Sequence, residues 1–123
     1  MPTSLREQIT SALEREDLPA SIQAARQLIE EDDGLRQWSF IARSIEKVPD
    51  LMTQLRTVRV ALLSSFSIEF VHVPLIARAF VNDLRLEIYQ SGFAQYRQEI
   101  LDPGSGLYDF DPDVVILAVE ASV

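Results

Sequence analysis

The chain has 123 residues, 47% of them hydrophobic and 24% charged, which fits one globular domain and leaves no room for two independent ones. Its 19 acidic and 11 basic side chains give a net charge of -8, which argues against non-specific binding to nucleic acid or to an anionic membrane. The sequence has no cysteine and one histidine, His72, so disulfides, thiolate metal sites and cysteine nucleophiles are excluded.

Residues 1–55 have the apolar spacing of helices. Ser4 followed by Glu7 is typical of a capping box at the start of the first helix, and Pro19 is tolerated in the first turn of the second. Acidic residues and Gly34 separate the second helix from a third, which ends before Pro49. The apolar residues at helical spacing, which we expect to face a core, are Leu5, Ile9, Ala12 and Leu13, then Ile22, Ala25, Leu28 and Ile29, then Leu35, Trp38, Ile41, Ala42 and Ile45.

From Arg56 onward the apolar pattern changes to strands alternating with helices. The predicted elements, in chain order, are a strand over residues 58–63, a helix from about Glu69 to Asn82, a strand around residues 86–89, a helix from Ala94 to Leu101, a turn at residues 102–106 and a strand over residues 114–119. This β-α-β-α-β order predicts an α/β fold with a three-stranded parallel sheet in the order 2-1-3, the front part of a flavodoxin-like three-layer domain. We therefore expect a helical segment over residues 1–55 and a partial α/β domain over residues 56–123.

In this order the third strand lies at an edge of the sheet, although it is the most hydrophobic of the three. Long apolar edge strands promote aggregation, so proteins pair or cover them. Three arrangements would do so: the N-terminal helices fold over the strand, a second copy pairs with it in a homodimer, or further strands of a longer protein continue the sheet. We favour the last and expect this chain to be a fragment of a larger protein.

Ligands of an open parallel sheet bind beyond the carboxyl ends of its strands, where three clusters should meet. They are Ser64, Ser65 and Ser67 after the first strand, residues 90–96 after the second, and Glu120 after the third. A serine on such a turn can be a nucleophile with backbone N–H groups as oxyanion donors, which makes Ser65 and Ser67 the candidate catalytic residues. The favoured interpretation is that these hydroxyls cap the following helix, because no Asp-x-x-His pair near the C-terminus supplies a base.

Other polar and aromatic residues have weaker functional assignments. His72 lies among apolar residues and is expected to be a partly buried, hydrogen-bonded structural histidine. Phe93, Tyr96 and Tyr108 would line a pocket or pack helix against sheet. The alternating carboxylates of residues 109–113 lack the glycine and the terminal glutamate of a calcium loop, so we expect a solvated turn that leads into the third strand and no metal site.

Three stretches of the second half form a distinctive pattern. Residues 60–67 read VALLSSFS, residues 92–105 read GFAQYRQEILDPGS, and residues 107–117 read LYDFDPDVVIL. Together they resemble the N-terminal region of FkbH-like proteins, which belong to subfamily IIIC of the HAD superfamily. The preceding helical segment is similar to that family in layout only.

This resemblance implies an SGNH-hydrolase-like α/β domain that precedes a magnesium-dependent HAD domain. Proteins of this kind remove phosphate from a glycolytic three-carbon unit and load a glyceryl unit onto an acyl carrier protein for polyketide assembly. The HAD motif Asp-x-Asp-x-Thr is missing, since residues 109–113 lack the threonine and precede a strand. The resemblance therefore implies magnesium only in the HAD domain and no cofactor in this chain.

The front domain also departs from working SGNH hydrolases. Their first block is Gly-Asp-Ser, where residues 64–67 of this chain read SSFS, and their third is Gly-x-Asn-Asp, where residues 119–122 read VEAS. The Asp and His of their last block would lie beyond Val123. These departures favour a non-catalytic module over an enzyme.

We therefore expect a module that acts by docking and scaffolding, with an acyl carrier protein or a covalently linked HAD domain as its partner and the helix of Trp38 as a contact surface. The alternatives are an SGNH-type serine esterase or acyltransferase that uses Ser65 or Ser67 and is completed from outside this chain, and a free-standing helical adaptor. No apolar run reaches the length of a membrane span, and the start MPTSLREQIT lacks the pattern of a signal peptide. A soluble, cytoplasmic protein is expected.

Overall fold

The computed structural model describes residues 4–64, 71–91 and 95–119. The helices and strands in these ranges are, in chain order, α1 (Leu5–Glu14), α2 (Leu18–Glu31), α3 (Leu35–Glu46), α4 (Pro49–Met52), β1 (Arg56–Ser64), α5 (His72–Val81), β2 (Leu84–Gln90), α6 (Tyr96–Leu101), α7 (Gly106–Phe110) and β3 (Val114–Ala118). Within these ranges, each helix is too short or too polar to cross a membrane.

The first two helices start where the sequence predicts, at side chains that accept hydrogen bonds from first-turn N–H groups. The Ser4 hydroxyl accepts the N–H of Glu7 at 3.2 Å, and the Asp17 carboxylate accepts the N–H of Ala20 at 3.2 Å. Pro19 lies in the first turn of α2, where its missing N–H leaves no hydrogen bond unmade. A cap of this kind stabilises a helix by about 1 kcal/mol.

The chain divides into two compact units, and the first comprises residues 1–56 and 73–85. Its helices enclose one apolar cluster, in which Ile9, Ile41 and Phe80 are fully buried. Truncating a side chain such as Phe80 to alanine typically costs about 3–5 kcal/mol, because the cavity it leaves does not close. Phe80 lies on α5, and all of this helix after His72 belongs to the first unit.

The second unit comprises residues 57–72 and 86–123 and contains most of the sheet. The sheet is parallel with the strand order β2-β1-β3, which confirms the predicted fold class. β1 and β3 pair in register from Val60 with Val114 to Ser64 with Ala118. β1 is central, and its residues 60–64 are buried, whereas β3 lies at an edge.

Two differences from the sequence-based prediction concern the helices. Leu35 is 62% exposed and does not face the core, because it lies in the first turn of α3, beyond the buried cluster. Helix α7 was not predicted, because five residues are too few to show a helical period. The predicted helix starts at Glu69 and Ala94 lie outside the described residues, and the domain boundary at residues 55 and 56 stays a prediction.

Candidate functional site

Two buried serines lie at the carboxyl ends of the strands, where the sequence places the candidate site. Ser64 ends β1 and is in register with Ala118 of β3. Ser91 follows β2, and its N–H donates to the carbonyl of Leu62 in β1 at 3.2 Å. The Ser91 hydroxyl is buried and has no hydrogen-bond partner in residues 4–64, 71–91 and 95–119. The three strand ends therefore lie side by side, although Ser64 as a pocket residue stays a prediction.

The remaining residues predicted for this site fall in different parts of the chain. Ser65, Ser67, Phe93 and Glu120 lie outside the described residues, so their roles stay predictions. Tyr96 begins α6 and is partly buried against an apolar cluster formed by β1 and α7. Tyr96 therefore packs a helix against the sheet, and a pocket beside it stays a prediction.

His72 begins α5 and is partly buried, as predicted, but the hydrogen bond that was also predicted for it is not seen at Nε2 among the described residues. Its Nε2 atom is buried, and the described part of the chain offers this atom no hydrogen-bond partner. A histidine that works as a general base needs a group that orients its ring. Such a group would bind the other ring nitrogen, so the unpaired Nε2 does not decide the role of His72, which stays a prediction.

In the acidic segment of residues 109–113, the first two residues end α7, and residues 111–113 link α7 to β3 and bind β1. The Asp113 carboxylate accepts the N–H of Arg59 at 2.9 Å, and the N–H of Asp113 donates to the carbonyl of Arg59 at 2.7 Å. Asp111 adopts the left-handed conformation, with a φ of 53°. A turn therefore leads into the third strand as predicted, but it covers residues 111–113, because residues 109 and 110 belong to α7. Among the described residues, no group of three or more His, Cys, Asp or Glu side chains could hold a metal ion.

The best-defined polar cluster of the second unit surrounds Glu99 of α6. The Tyr89 hydroxyl of β2 donates to Glu99 Oε1 at 2.6 Å, and the N–H of Leu107 in α7 donates to Glu99 Oε2 at 3.1 Å. The Ser105 hydroxyl donates to the backbone carbonyl of Glu99 at 2.7 Å. We call Tyr89, Glu99, Ser105 and Leu107 the Glu99 cluster. It ties β2, α6 and α7 together.

The electrostatics of the Glu99 cluster suit a structural role. The hydrogen bond to Glu99 raises the pKa of Tyr89 to about 12, and burial and the negative charges of Glu99 and Asp109 act in the same direction. The same hydrogen bond lowers the pKa of Glu99 against the opposing effect of burial, with the N–H of Leu107 adding to it. A general acid or base works best with a pKa near the working pH. Both pKa values move away from neutrality, so the pair is a fixed phenol and carboxylate.

Three members of the Glu99 cluster, Glu99, Ser105 and Leu107, fall within the stretches that resemble the FkbH-like family, and other residues of those stretches also form internal hydrogen bonds. The Asp102 carboxylate accepts the N–H of Gly104 at 2.9 Å, and the Tyr108 hydroxyl donates to the carbonyl of Ile100. The contact between Tyr89 and Glu99 was not predicted, because the two residues lie on different elements. The described part of this pattern therefore has a structural explanation.

Gly106 starts α7 at a close approach to the Tyr89 ring. A Cβ atom at this position would lie 2.5 Å from the Tyr89 hydroxyl oxygen and 3.1 Å from its Cζ atom. Only glycine leaves room for this approach. The ring of Tyr89 also stacks on Phe110 with centroids 5.5 Å apart, and the Arg59 guanidinium lies 4.5 Å from the Phe110 centroid. Helix α7 is therefore fixed against the sheet by ring contacts as well as by Glu99.

Comparison with known proteins finds a similar fold for part of this chain. No protein-family model matches it. No curated protein matches it either. Among solved structures, it is similar to the crystal structure of the N-terminal part of the protein BF1531 from Bacteroides fragilis. That part contains a phosphatase domain and is complexed with Mg. The TM-score between the two structures is 0.53, and the sequence identity is 24%. The match covers 55% of this chain and 18% of that chain, and it supports the α/β fold.

Proposed function

We propose that this chain is a non-catalytic N-terminal module of a larger FkbH-like protein of the HAD superfamily and that it works in the cytoplasm. In this role it holds an acyl carrier protein near the phosphatase-type domain that transfers a glyceryl unit in polyketide biosynthesis. Docking of this kind raises the local concentration of the carrier at the catalytic domain. The module then needs no catalytic residue of its own.

The exposure of β3 is the observation that carries this proposal. Val115 and Leu117 are 50% and 52% exposed, and their neighbours Val114 and Ile116 are exposed as well. Because successive side chains of a strand point to opposite faces of the sheet, both faces of β3 are open. An uncovered apolar edge strand is an aggregation site. A wider sheet in a larger protein would remove this exposure.

Two further observations support the proposal. The N-terminal part of the protein BF1531, of which the fold match covers 18%, contains a phosphatase domain and is complexed with Mg. In the proposed protein, Mg would likewise belong to the phosphatase-type domain. The second observation is the Glu99 cluster, whose hydrogen bonds stabilise the fold. The pKa values of its Tyr89 and Glu99 side chains are unsuited to proton transfer at neutral pH.

A reconstitution in solution tests the docking role. An acyl carrier protein bearing phosphopantetheine is incubated with the separately produced phosphatase-type domain of an FkbH-like protein, and this chain is added in trans. We expect glyceryl loading of the carrier, measured by intact-protein mass spectrometry, to rise with the added chain, and calorimetry to show binding of the chain to the carrier. An unrelated acidic protein is the control. Loading that does not change, together with no binding, would contradict the docking role.

Hydrolysis of a short-chain ester separates this proposal from an SGNH-type esterase. The purified chain is compared with the double variant Ser65→Ala, Ser67→Ala. We expect neither protein to hydrolyse the ester faster than buffer. Hydrolysis by the unmodified chain that the double variant lacks would identify a serine enzyme and overturn the non-catalytic role.

A further inference from the structure

A groove runs along the surface of the helical unit between α1 and α3. It consists of three adjoining clefts of about 360, 360 and 190 Å³, and Phe40 lines all three. Leu13 and Val48 extend its apolar floor at one end. At the other end lies Leu35, which the sequence assigned to the core and which is 62% exposed. We call this surface the α1/α3 groove.

The rim of the α1/α3 groove is basic although the chain as a whole is acidic. Arg6, Arg36 and Arg43 line the first cleft, which has no acidic residue in its lining. Lys47 lines the last cleft. The acidic lining residues are two glutamates of α1: Glu7 lines the second cleft, and Glu14 lines the second and the last. Basic side chains therefore outnumber acidic ones here, whereas the whole chain has 11 basic and 19 acidic residues.

Arg36 and Arg43 are available to an external anion. In residues 4–64, 71–91 and 95–119, the side chains of both form neither an ion pair nor a hydrogen bond. They are seven residues apart in α3, which places them two turns apart on the same face of the helix. Arg26, by contrast, pairs with the Asp83 carboxylate at 3.2 Å.

Arg6 is held in position at the centre of the groove. Its Nε and Nη2 atoms donate to Gln37 Oε1 at 3.2 and 3.0 Å, and its guanidinium lies 4.8 Å from the centroid of the Phe40 ring. Gln37 is itself fixed because its amide donates to the Asp32 carboxylate at 3.0 Å. A guanidinium fixed in this way loses little side-chain entropy when it binds an anion.

We infer that the α1/α3 groove binds an acidic amphipathic helix of a partner protein. Helix α3 has 12 residues, which corresponds to a length of about 18 Å, or roughly three turns of a helix lying beside it. Apolar side chains of the partner helix contact Phe40 and Leu35, and its flanking carboxylates pair with Arg36 and Arg43. Only the identity of the partner as an acyl carrier protein rests on the proposed function.

A labelled peptide tests the groove directly on the full chain. The probe is a synthetic helix of about 15 residues with leucines at i, i+3/i+4 and i+7 and glutamates beside them. Its control is a peptide of the same composition in which the leucines are moved to break this spacing. We expect fluorescence anisotropy to show that the first peptide binds more tightly than the second and that its affinity falls as salt is added.

Charge reversal locates the binding surface. We expect Arg36→Glu with Arg43→Glu to weaken peptide binding by about tenfold or more, because two charge pairs become repulsive. The matched control is Arg56→Glu with Arg97→Glu, which makes the same change in net charge at two exposed positions outside the groove, and we expect its affinity to stay within about twofold. Circular dichroism checks that both variants fold, and Arg36→Lys with Arg43→Lys should retain most of the binding.

The remaining outcomes either overturn the inference or separate it from the proposed function. Equal binding of the two peptides, no binding of either, an unaffected charge-reversal variant, or complete displacement by inorganic phosphate would each overturn it. So would a concentration-dependent dimer that the Arg36→Glu, Arg43→Glu variant abolishes, since a second copy would then fill the groove. If the peptide binds as expected and an acyl carrier protein does not bind, the groove stands and the proposed partner is wrong. If the carrier binds and peptide binding fails, the docking role stands without the groove.

Discussion

β1 and β3 have similar sequences and opposite surroundings. Residues 60–63 of β1 read VALL and residues 114–117 of β3 read VVIL, and the two segments pair in register. Leu63 is fully buried, whereas its register partner Leu117 is 52% exposed. β1 has a strand on each side, and β3 has one neighbour in the described sheet. Position in the sheet therefore determines burial here, and apolar sequence alone does not.

The two strands also differ in what covers their faces. Leu107 packs in a buried cluster with Ala61 and Leu63 of β1, and the rings of Tyr89 and Tyr96 pack against that cluster. The Glu99 cluster fixes Leu107 and Tyr89 in this place. All four apolar side chains of residues 114–117 in β3 remain exposed. The Glu99 cluster therefore helps to cover β1 and leaves β3 uncovered.

The same substitution at the two register partners should have very different effects. We expect Leu63→Ala to lower the free energy of unfolding by about 2–5 kcal/mol, because it leaves a cavity in a closed core. Leu117→Ala removes a side chain that is already half in water, so we expect a loss below about 1 kcal/mol. Urea denaturation of the two variants, beside the unmodified chain, measures both effects. A large loss for Leu117→Ala at high protein concentration only would show that a second copy covers β3.

How far the sequence predicts this sheet depends on the length of each pattern. The apolar runs near Val60 and Val114 were long enough to give the strands and their order. Helix α7 was missed because its contacts come from Gly106 and Leu107, which have no periodic neighbours in so short a helix. The spacing of Leu35 correctly predicts that it belongs to α3 and wrongly predicts that it is buried. Periodicity identifies the apolar face of a helix, but it does not show whether another element packs on the first turn of that face.

The candidate site was predictable only in part, because the sequence shows the order of the strands but not the contacts between side chains of different elements. Parallel topology brings Ser64 and Ser91 to one edge, and the strand order already implied this. Tyr89 and Glu99 lie ten residues apart on different elements, so their contact depends on how the intervening chain turns. The sequence shows that Arg36 and Arg43 are seven residues apart, and this spacing was not used to predict a site. Only the structure shows that neither has a carboxylate partner among residues 4–64, 71–91 and 95–119.

A methyl group at Gly106 should loosen the cover on β1. We expect Gly106→Ala to cost about 1–3 kcal/mol, since the new Cβ would overlap the Tyr89 ring and force α7 or the ring to shift. Gly104→Ala is the matched control, because the nearest atom to its Cβ, Asp102 Oδ1, is 3.5 Å away, and we expect a change within about 0.5 kcal/mol. Equal stability of the two variants in urea denaturation would show that α7 does not lie against Tyr89 in solution.

Removal of the Tyr89 hydroxyl should have a smaller effect. Tyr89→Phe keeps the ring that packs on the β1 cluster and removes the hydrogen bond to Glu99, so we expect a loss of about 1 kcal/mol. Tyr108→Phe is the control, since it also removes one tyrosine hydroxyl hydrogen bond, on a side chain that is 48% exposed. We expect it to change the free energy of unfolding less than Tyr89→Phe does. The reverse order would contradict the assignment of Glu99 as the group that fixes α7.

The pH dependence of the free energy of unfolding should reveal how much Glu99 and Tyr89 contribute to stability. The folded pKa of Glu99 lies below its ordinary value of 4.5, so its contribution to stability is complete above that pH and is lost as pH falls through the folded pKa. The folded pKa of Tyr89 is raised from 10.0 to about 12, so its contribution is complete below 10.0 and is lost as pH rises toward 12. Glu99→Gln should remove the acid-side loss and return the pKa of Tyr89 toward its ordinary value. Phenolate absorbance, taken as the difference between each protein and its Tyr89→Phe counterpart, measures that pKa. An unchanged Tyr89 titration in Glu99→Gln would mean that burial alone raises the pKa, and α7 would then be fixed against β1 by packing without the carboxylate.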